Sequence, residues 1–189
     1  MKEEHPYASR GGLKLAHALE QFQIDPKDKI ILDVGASTGG FTDCLLQRGA
    51  KKVYAVDVGY GQLDWKLRND SRVVVIEKTN IRYWDAHQVT EPIDFAVVDV
   101  SFISLTLVLP KVKEIIGPEG FIIALIKPNF EVGKGQVGKG GVVREPEKHA
   151  AVIEKIRNFA PSLNLSAKGV TESPLIGPKG NKEFFMLLG

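Results

Sequence analysis

The chain has 189 residues and a mass of 20.8 kDa, with 43% hydrophobic and 25% charged residues, the proportions of one folded globular domain rather than a disordered or fibrous chain. A formal net charge of +2 is too small to announce a polyanionic partner, so any such surface must come from local clustering. The single cysteine, Cys44, excludes an internal disulfide and suits a small packed residue in a reducing compartment. The start, Met1-Lys2-Glu3-Glu4-His5-Pro6, lacks the apolar core of a signal peptide, and no apolar run is long enough to span a bilayer, so a cytoplasmic protein without membrane contact is expected.

In chain order, residues 1–10 read as a polar N-terminal arm and residues 11–189 as one domain. Gly11-Gly12 precedes the apolar stripe Leu13, Leu15, Ala16, Leu19 and Phe22, which predicts a helix ending before Asp25-Pro26. Lys14 falls in its first turn, where a cation opposes the helix dipole; a solvated side chain is the default for any one lysine. An apolar run from Ile30 then reaches the acid Asp33 and the glycine-rich turn Gly35-Ala36-Ser37-Thr38-Gly39-Gly40, and Phe41 to Leu46 resumes apolar residues at helical spacing: strand, tight loop, helix. Gly35 permits the sharp turn, and Gly39 and Gly40 permit close approach of a ligand to the backbone. The spacing Gly-x-x-x-Gly-Gly is neither a nicotinamide fingerprint nor a P-loop.

Lys52 to Asp57 reads as the second strand, and Asp57 lies 24 residues beyond Asp33, near where such folds place a carboxylate on ribose hydroxyls. A ribose ligand without phosphates, S-adenosylmethionine rather than NAD, fits best; a structural turn with a helix-capping acid is the plainer alternative. Gln62 to Leu67 suggests a short helix, Arg72 to Ile76 a third strand, and Asn80, ahead of Ile81-Arg82-Tyr83-Trp84, either caps a helix or faces the cofactor base. Pro92 to Asp99 is a fourth strand, apolar enough for burial on both faces. Leu105 to Ile116 predicts a helix with a kink or late start at Pro110. Gly120 to Pro128 is the fifth strand, apolar until Lys127, and Asn129 to Arg144 a glycine-rich, locally cationic loop with Lys134, Lys139 and Arg144. A helix over Glu145 to Phe159 and strands over Leu163 to Val170 and Glu183 to Leu188 complete the chain.

The alternation predicts an α/β fold: a doubly wound, mostly parallel seven-stranded sheet, Rossmann-like, with helices on both faces. Asp33, Asp57, Asp99 and Lys127 each close a predicted strand on the edge where such sheets bind ligands. Asp99 and Lys127, as neighbours on central strands, can steer and accept a hydroxyl proton; a buried structural salt bridge would look the same in sequence. No His or Cys cluster has metal-ligand spacing, so no metal is expected.

Five separated motifs carry a resemblance. Ser9-Arg10-Gly11-Gly12-Leu13-Lys14-Leu15, Asp33 to Phe41, Val97-Val98-Asp99-Val100-Ser101-Phe102-Ile103, Lys127-Pro128-Asn129-Phe130-Glu131 and Gly180-Asn181-Lys182-Glu183-Phe184 together resemble the TlyA, or hemolysin A, family of FtsJ-like RNA ribose 2′-O-methyltransferases, from about Tyr7 onward. The resemblance implies a class I methyltransferase domain over residues 11–189 that acts on RNA, chiefly ribosomal RNA or ribosomal subunits. It places the catalytic Lys-Asp-Lys-Glu tetrad on Lys14, Asp99, Lys127 and Glu183. It sets S-adenosylmethionine against Asp33, Gly35, Ala36, Ser37, Thr38, Gly39, Gly40, Phe41, Asp57, Val58, Asn80 and Asp99. Arg10, Lys134, Lys139, Arg144, Lys179 and Lys182 are the expected RNA contacts, with Tyr60 or Phe130 as candidates to stack on a base. Members usually carry a small RNA-binding domain ahead of this part, and the present sequence starts near the first catalytic motif. Three rivals are weighed: a non-catalytic RNA-binding or ribosome-assembly module, which an intact tetrad disfavours; a membrane-lysing protein, for which no spanning or strongly amphipathic cationic segment is found; and a nicotinamide oxidoreductase, disfavoured by the loop spacing.

Overall fold

The computed structural model describes residues 5–189. Seven strands form one sheet: β1 Ile30–Val34, β2 Lys52–Val56, β3 Val73–Ile76, β4 Phe95–Val98, β5 Phe121–Ile126, β6 Ala167–Glu172 and β7 Phe184–Leu188. Their spatial order is β3-β2-β1-β4-β5-β7-β6. Strands β1 to β5 pair in parallel, and β7 runs antiparallel between β5 and β6. The winding reverses between β1 and β4, which opens a crevice beyond their carboxyl ends. The α-helices are α1 Gly11–Gln21, α2 Gly40–Gln47, α3 Trp65–Arg68, α4 Leu105–Ile116, α5 Pro128–Glu131 and α6 Pro146–Phe159.

Strand alternation sorts the core into two layers. Ile31, Val53, Phe95, Val97, Ile123, Leu125 and Phe185 pack with Leu15, Leu19, Phe41 and Leu45 from α1 and α2. The intervening Leu32, Val34, Tyr54, Ala96, Val98, Ile122, Ala124 and Ile126 pack with Val108, Leu109 and Val112 of α4 and Val152 and Ile156 of α6. Both faces of the central strands are buried, as their unbroken apolar runs require, and the doubly wound fold expected from the sequence is the one observed.

Three expectations are corrected. Helix α4 is unbroken across Pro110: it starts at Leu105, where the Ser104 side chain accepts from Thr106 N–H. Pro110 is exposed, so its ring faces solvent rather than the core. The sixth strand begins at Ala167 rather than Leu163, because Ala160–Leu163 is a 3₁₀ turn and Asn164 takes a left-handed conformation (φ 56°) that ends it. Helix α3 begins at Trp65 instead of Gln62, capped by the Asp64 carboxylate, which accepts from Lys66 N–H.

Candidate active site

The loop after β1 is drawn between its two neighbours. Gly35 and Ala36 N–H both donate to the Val56 carbonyl, at 2.9 and 3.1 Å. Gly35 has φ 84°, and a Cβ there would lie 2.0 Å from the Asp99 carbonyl oxygen, so only glycine fits. Asp57, just past β2, braces the far side: its Oδ2 accepts from Ser37 N–H (2.8 Å) and its Oδ1 from Gly59 N–H (2.7 Å). Each oxygen keeps a lone pair for a ligand.

Beyond Asp57 opens a cavity of about 540 Å³, lined by Gly35, Ser37, Asp57, Val58, Asn80 and Asp99 and by the apolar side chains of Val56, Ile81, Val100, Ile103 and Val108. Two carboxylates and no lysine or arginine line it. A phosphate-bearing nucleotide would meet like charge there, whereas a nucleoside carrying positive charge is matched. Of the two alternatives for Asn80, the structure shows the cap: its Oδ1 accepts from Arg82 N–H at 3.1 Å at the Ile81–Tyr83 turn, and the residue lines this cavity.

Asp33 is placed differently from expectation. It lies within β1, one residue before its end, and is 0% exposed rather than open to the crevice. The Thr42 hydroxyl donates to its Oδ2 at 2.6 Å, while Oδ1 has no partner. Burial pushes this carboxyl up to about 7, opposed by the Thr42 hydrogen bond and reinforced by the nearby Asp99 and Asp57. Gly39, another expected contact, has φ 101° as the N-cap of α2, and a Cβ there would strike Leu67 and Leu63.

The four tetrad positions resolve into two ion pairs. Lys127 follows β5 and Asp99 follows β4; Lys127 Nζ lies 2.5 Å from Asp99 Oδ1 and donates to Ser101 Oγ at 2.9 Å. Lys14 Nζ, from α1, donates to Glu183 Oε2 at 2.7 Å, and Glu183 is 1% exposed. The unfavourable first-turn position of Lys14 is thus compensated by a buried carboxylate contributed from the start of β7. Room for that carboxylate depends on Gly177, where a Cβ would lie 1.9 Å from Glu183 Oε1. All four residues line one cavity of about 710 Å³ together with Gly35, Ala36, Ser37, Thr38, Gly40 and Phe41.

A third cavity, of about 300 Å³, adjoins on the other side of Lys127 and is lined by Ser101, Phe102, Asn129, Phe130, Val137, Lys179 and Glu183. Phe102 is 89% exposed with φ 64°, and its ring lies 4.8 Å from that of Phe130 at 50°. Of the expected RNA contacts, Lys179 lines this cavity and Arg10 reaches the 710 Å³ one, donating to the Ile176 carbonyl at 3.3 Å. Lys134, Lys139 and Arg144 are exposed along the glycine-rich loop. Lys182 instead pairs with Glu172 at 3.1 Å. Tyr60 is exposed with Lys78 over its ring at 4.4 Å, away from the 300 Å³ cavity.

Three residues that sequence reasoning passed over shape this region. Phe102 reads in sequence as an ordinary apolar residue ahead of a helix; only its exposure and left-handed backbone mark it. Asn181, 2% exposed, ties the glycine-rich loop to the segment before β7: its Oδ1 accepts from Val143 N–H (3.0 Å) and its Nδ2 donates to the Gly141 carbonyl (2.9 Å). Glu131, 6% exposed, accepts from Leu105 N–H (2.8 Å), Ser104 Oγ (2.7 Å) and Lys155 Nζ (2.9 Å), fixing the Phe102 loop against α5 and α6. Among the described residues no group of three or more His, Cys, Asp or Glu is placed to hold a metal ion, and no helix is long and apolar enough to cross a membrane.

Residues 7–189 match the family model described as FtsJ-like methyltransferase. The chain belongs to that family. It is 52% identical over 183 residues to YqxC of Bacillus subtilis, covering 96% of this chain and 65% of that protein. It is 50% identical over 185 residues to the 16S/23S rRNA (cytidine-2′-O)-methyltransferase TlyA of Mycobacterium tuberculosis, covering 98% of this chain and 69% of that protein. The chain thus spans about two thirds of the length of these curated relatives. A solved Streptococcus thermophilus structure superposes with a TM-score of 0.94 at 50% identity, over 100% of this chain and 68% of that one. At 17% identity, Aeropyrum pernix fibrillarin, solved with S-adenosyl-L-methionine, superposes with a TM-score of 0.63 over 92% of this chain and 74% of that one, a likeness of fold alone.

Proposed function

We propose that residues 11–189 form a methyltransferase domain that binds S-adenosylmethionine in the 540 Å³ cavity and methylates a ribose 2′-hydroxyl of ribosomal RNA, in the cytoplasm. The observation that carries the reading is the Lys127–Asp99 pair (2.5 Å) at the junction of a cation-free, nucleoside-sized cavity and a second cavity lined by two aromatic rings and a lysine. The names of the relatives supply the substrate class. When bound, S-adenosylmethionine supplies a methyl group activated on a sulfonium sulfur, a cation that suits the carboxylates of Asp57 and Asp99.

Lys127 accepts the 2′-hydroxyl proton on Nζ, and the Asp99 carboxylate balances the ammonium that forms. Lys14 and Glu183 hold the ribose and its backbone in place, so that much of the acceleration comes from positioning. Phe102 and Phe130 offer faces for the base, while Arg10, Lys179 and the exposed Lys134, Lys139 and Arg144 grip phosphates. Lys182, paired with Glu172, contributes less. The test is transfer of a tritiated methyl group to ribosomal subunits or naked ribosomal RNA by the wild-type chain and by Lys127→Ala. Transfer that Lys127→Ala loses while still binding S-adenosylmethionine supports the assignment; equal transfer by both refutes the role of Lys127.

A further inference from the structure

The contact that the tetrad leaves unexplained is the one between Lys127 and Ser101. Ser101 stands between the strand end that carries Asp99 and the strained residue Phe102, and lines both the 540 and the 300 Å³ cavities. Its hydroxyl accepts from Lys127 Nζ at 2.9 Å while Asp99 Oδ1 accepts at 2.5 Å.

A neutral amine on a tetrahedral nitrogen has two hydrogens and one lone pair. An amine anchored to Asp99 alone can still turn about its Cε–Nζ bond, and its lone pair then samples more than one staggered direction. Two acceptors, one for each hydrogen, leave a single direction for the lone pair. We propose that Ser101 is a positioning residue for the reaction: with Asp99 it fixes the rotation of the Lys127 amine and so aims the lone pair at the incoming 2′-hydroxyl. The proton balance is simple. The O–H bond breaks, its electron pair stays on the ribose oxygen, which becomes the nucleophile, and the proton forms the third N–H bond of Lys127. Ser101 keeps its own proton throughout and acts only as an acceptor, so it is not itself a base.

The inference rests on the ribose-methylation reading and makes a narrower claim. Removing one neutral anchor costs a modest hydrogen bond and frees the amine to turn. Ser101→Ala is therefore expected to lower kcat roughly three- to tenfold, with KM for RNA and for S-adenosylmethionine unchanged. Ser101→Thr, which retains the hydroxyl, is expected to restore kcat. Calorimetric affinity for S-adenosylmethionine and filter-binding affinity for ribosomal RNA, both measured without turnover, should match wild type in all variants. A Ser101→Ala protein with wild-type kcat, a loss that appears in KM or in either affinity, or a Ser101→Thr protein no better than Ser101→Ala would each overturn the proposal while leaving the methylation reading intact. A wild-type chain that transfers no methyl group to RNA would overturn the reading, and this inference with it.

Discussion

Replacing Gly177 by alanine tests whether the buried Lys14–Glu183 pair is held by shape as well as by charge. The backbone there is extended (φ −75°, ψ −176°), so alanine introduces no backbone strain. The added Cβ would sit 1.9 Å from Glu183 Oε1 and 2.7 Å from its Cδ, too close to remain, and neighbouring Pro178 stiffens the segment against retreat. The carboxylate must therefore shift away from Lys14 Nζ, which it now accepts from at 2.7 Å. Both side chains are largely shielded from water, at 11% and 1% exposure, and separating a buried pair typically costs about 3–5 kcal/mol. We expect Gly177→Ala to lose about 3 kcal/mol, a shift of roughly 1–3 M in the urea midpoint, and to lose methyl transfer while retaining S-adenosylmethionine binding. Gly133→Ala, whose Cβ would meet only ordinary contacts at 3.6 Å or more, serves as the control and should stay within about 0.5 kcal/mol of wild type. A Gly177→Ala protein as stable and active as wild type would refute the argument.

Three further outcomes follow from the same structure. Because the Asp33 carboxyl is raised to about 7 in the folded chain from 3.8, the folded state holds a proton that the unfolded state has released between those values. Stability from this group is complete below about pH 4, falls as pH rises towards 7 and is flat above, by roughly 4 kcal/mol in all; denaturation curves of Asp33→Asn across that window should lack this slope. Phe102→Ala removes a side chain that is 89% exposed, so its melting curve should match wild type while RNA affinity falls roughly ten- to hundredfold if a base stacks there. Changing Lys139 and Lys179 together to alanine should flatten the plot of log affinity against log salt by about 0.7 for each phosphate that these two side chains neutralise, read by filter binding over a salt series.

Much of this was legible in the sequence because local pattern and global fold agree. The apolar runs of β4 and β5 ended at residues that do reach the crevice, Asp99 and Lys127, and the glycines after β1 turned where the geometry demands it. Asp33 misled because a carboxylate near a strand end looks the same whether it faces solvent or the neighbouring helix; the single-residue alternation of the strand turned it onto the α2 face, under Thr42. Lys14 and Glu183 lie 169 residues apart, so their pairing was unreadable from composition or spacing and came only through the resemblance. Phe102 and Ser101 escaped because exposure and a left-handed backbone are properties of the folded loop. Pro110 did not delay the helix, because the Ser104 cap starts it at Leu105.

The most direct test of the central claim is nucleoside analysis of ribosomal RNA incubated with the chain and isotopically labelled S-adenosylmethionine, digested to single nucleosides and resolved by mass. The account predicts the label on ribose, as a 2′-O-methylnucleoside whose backbone linkage resists alkali. Label on a base instead would contradict it.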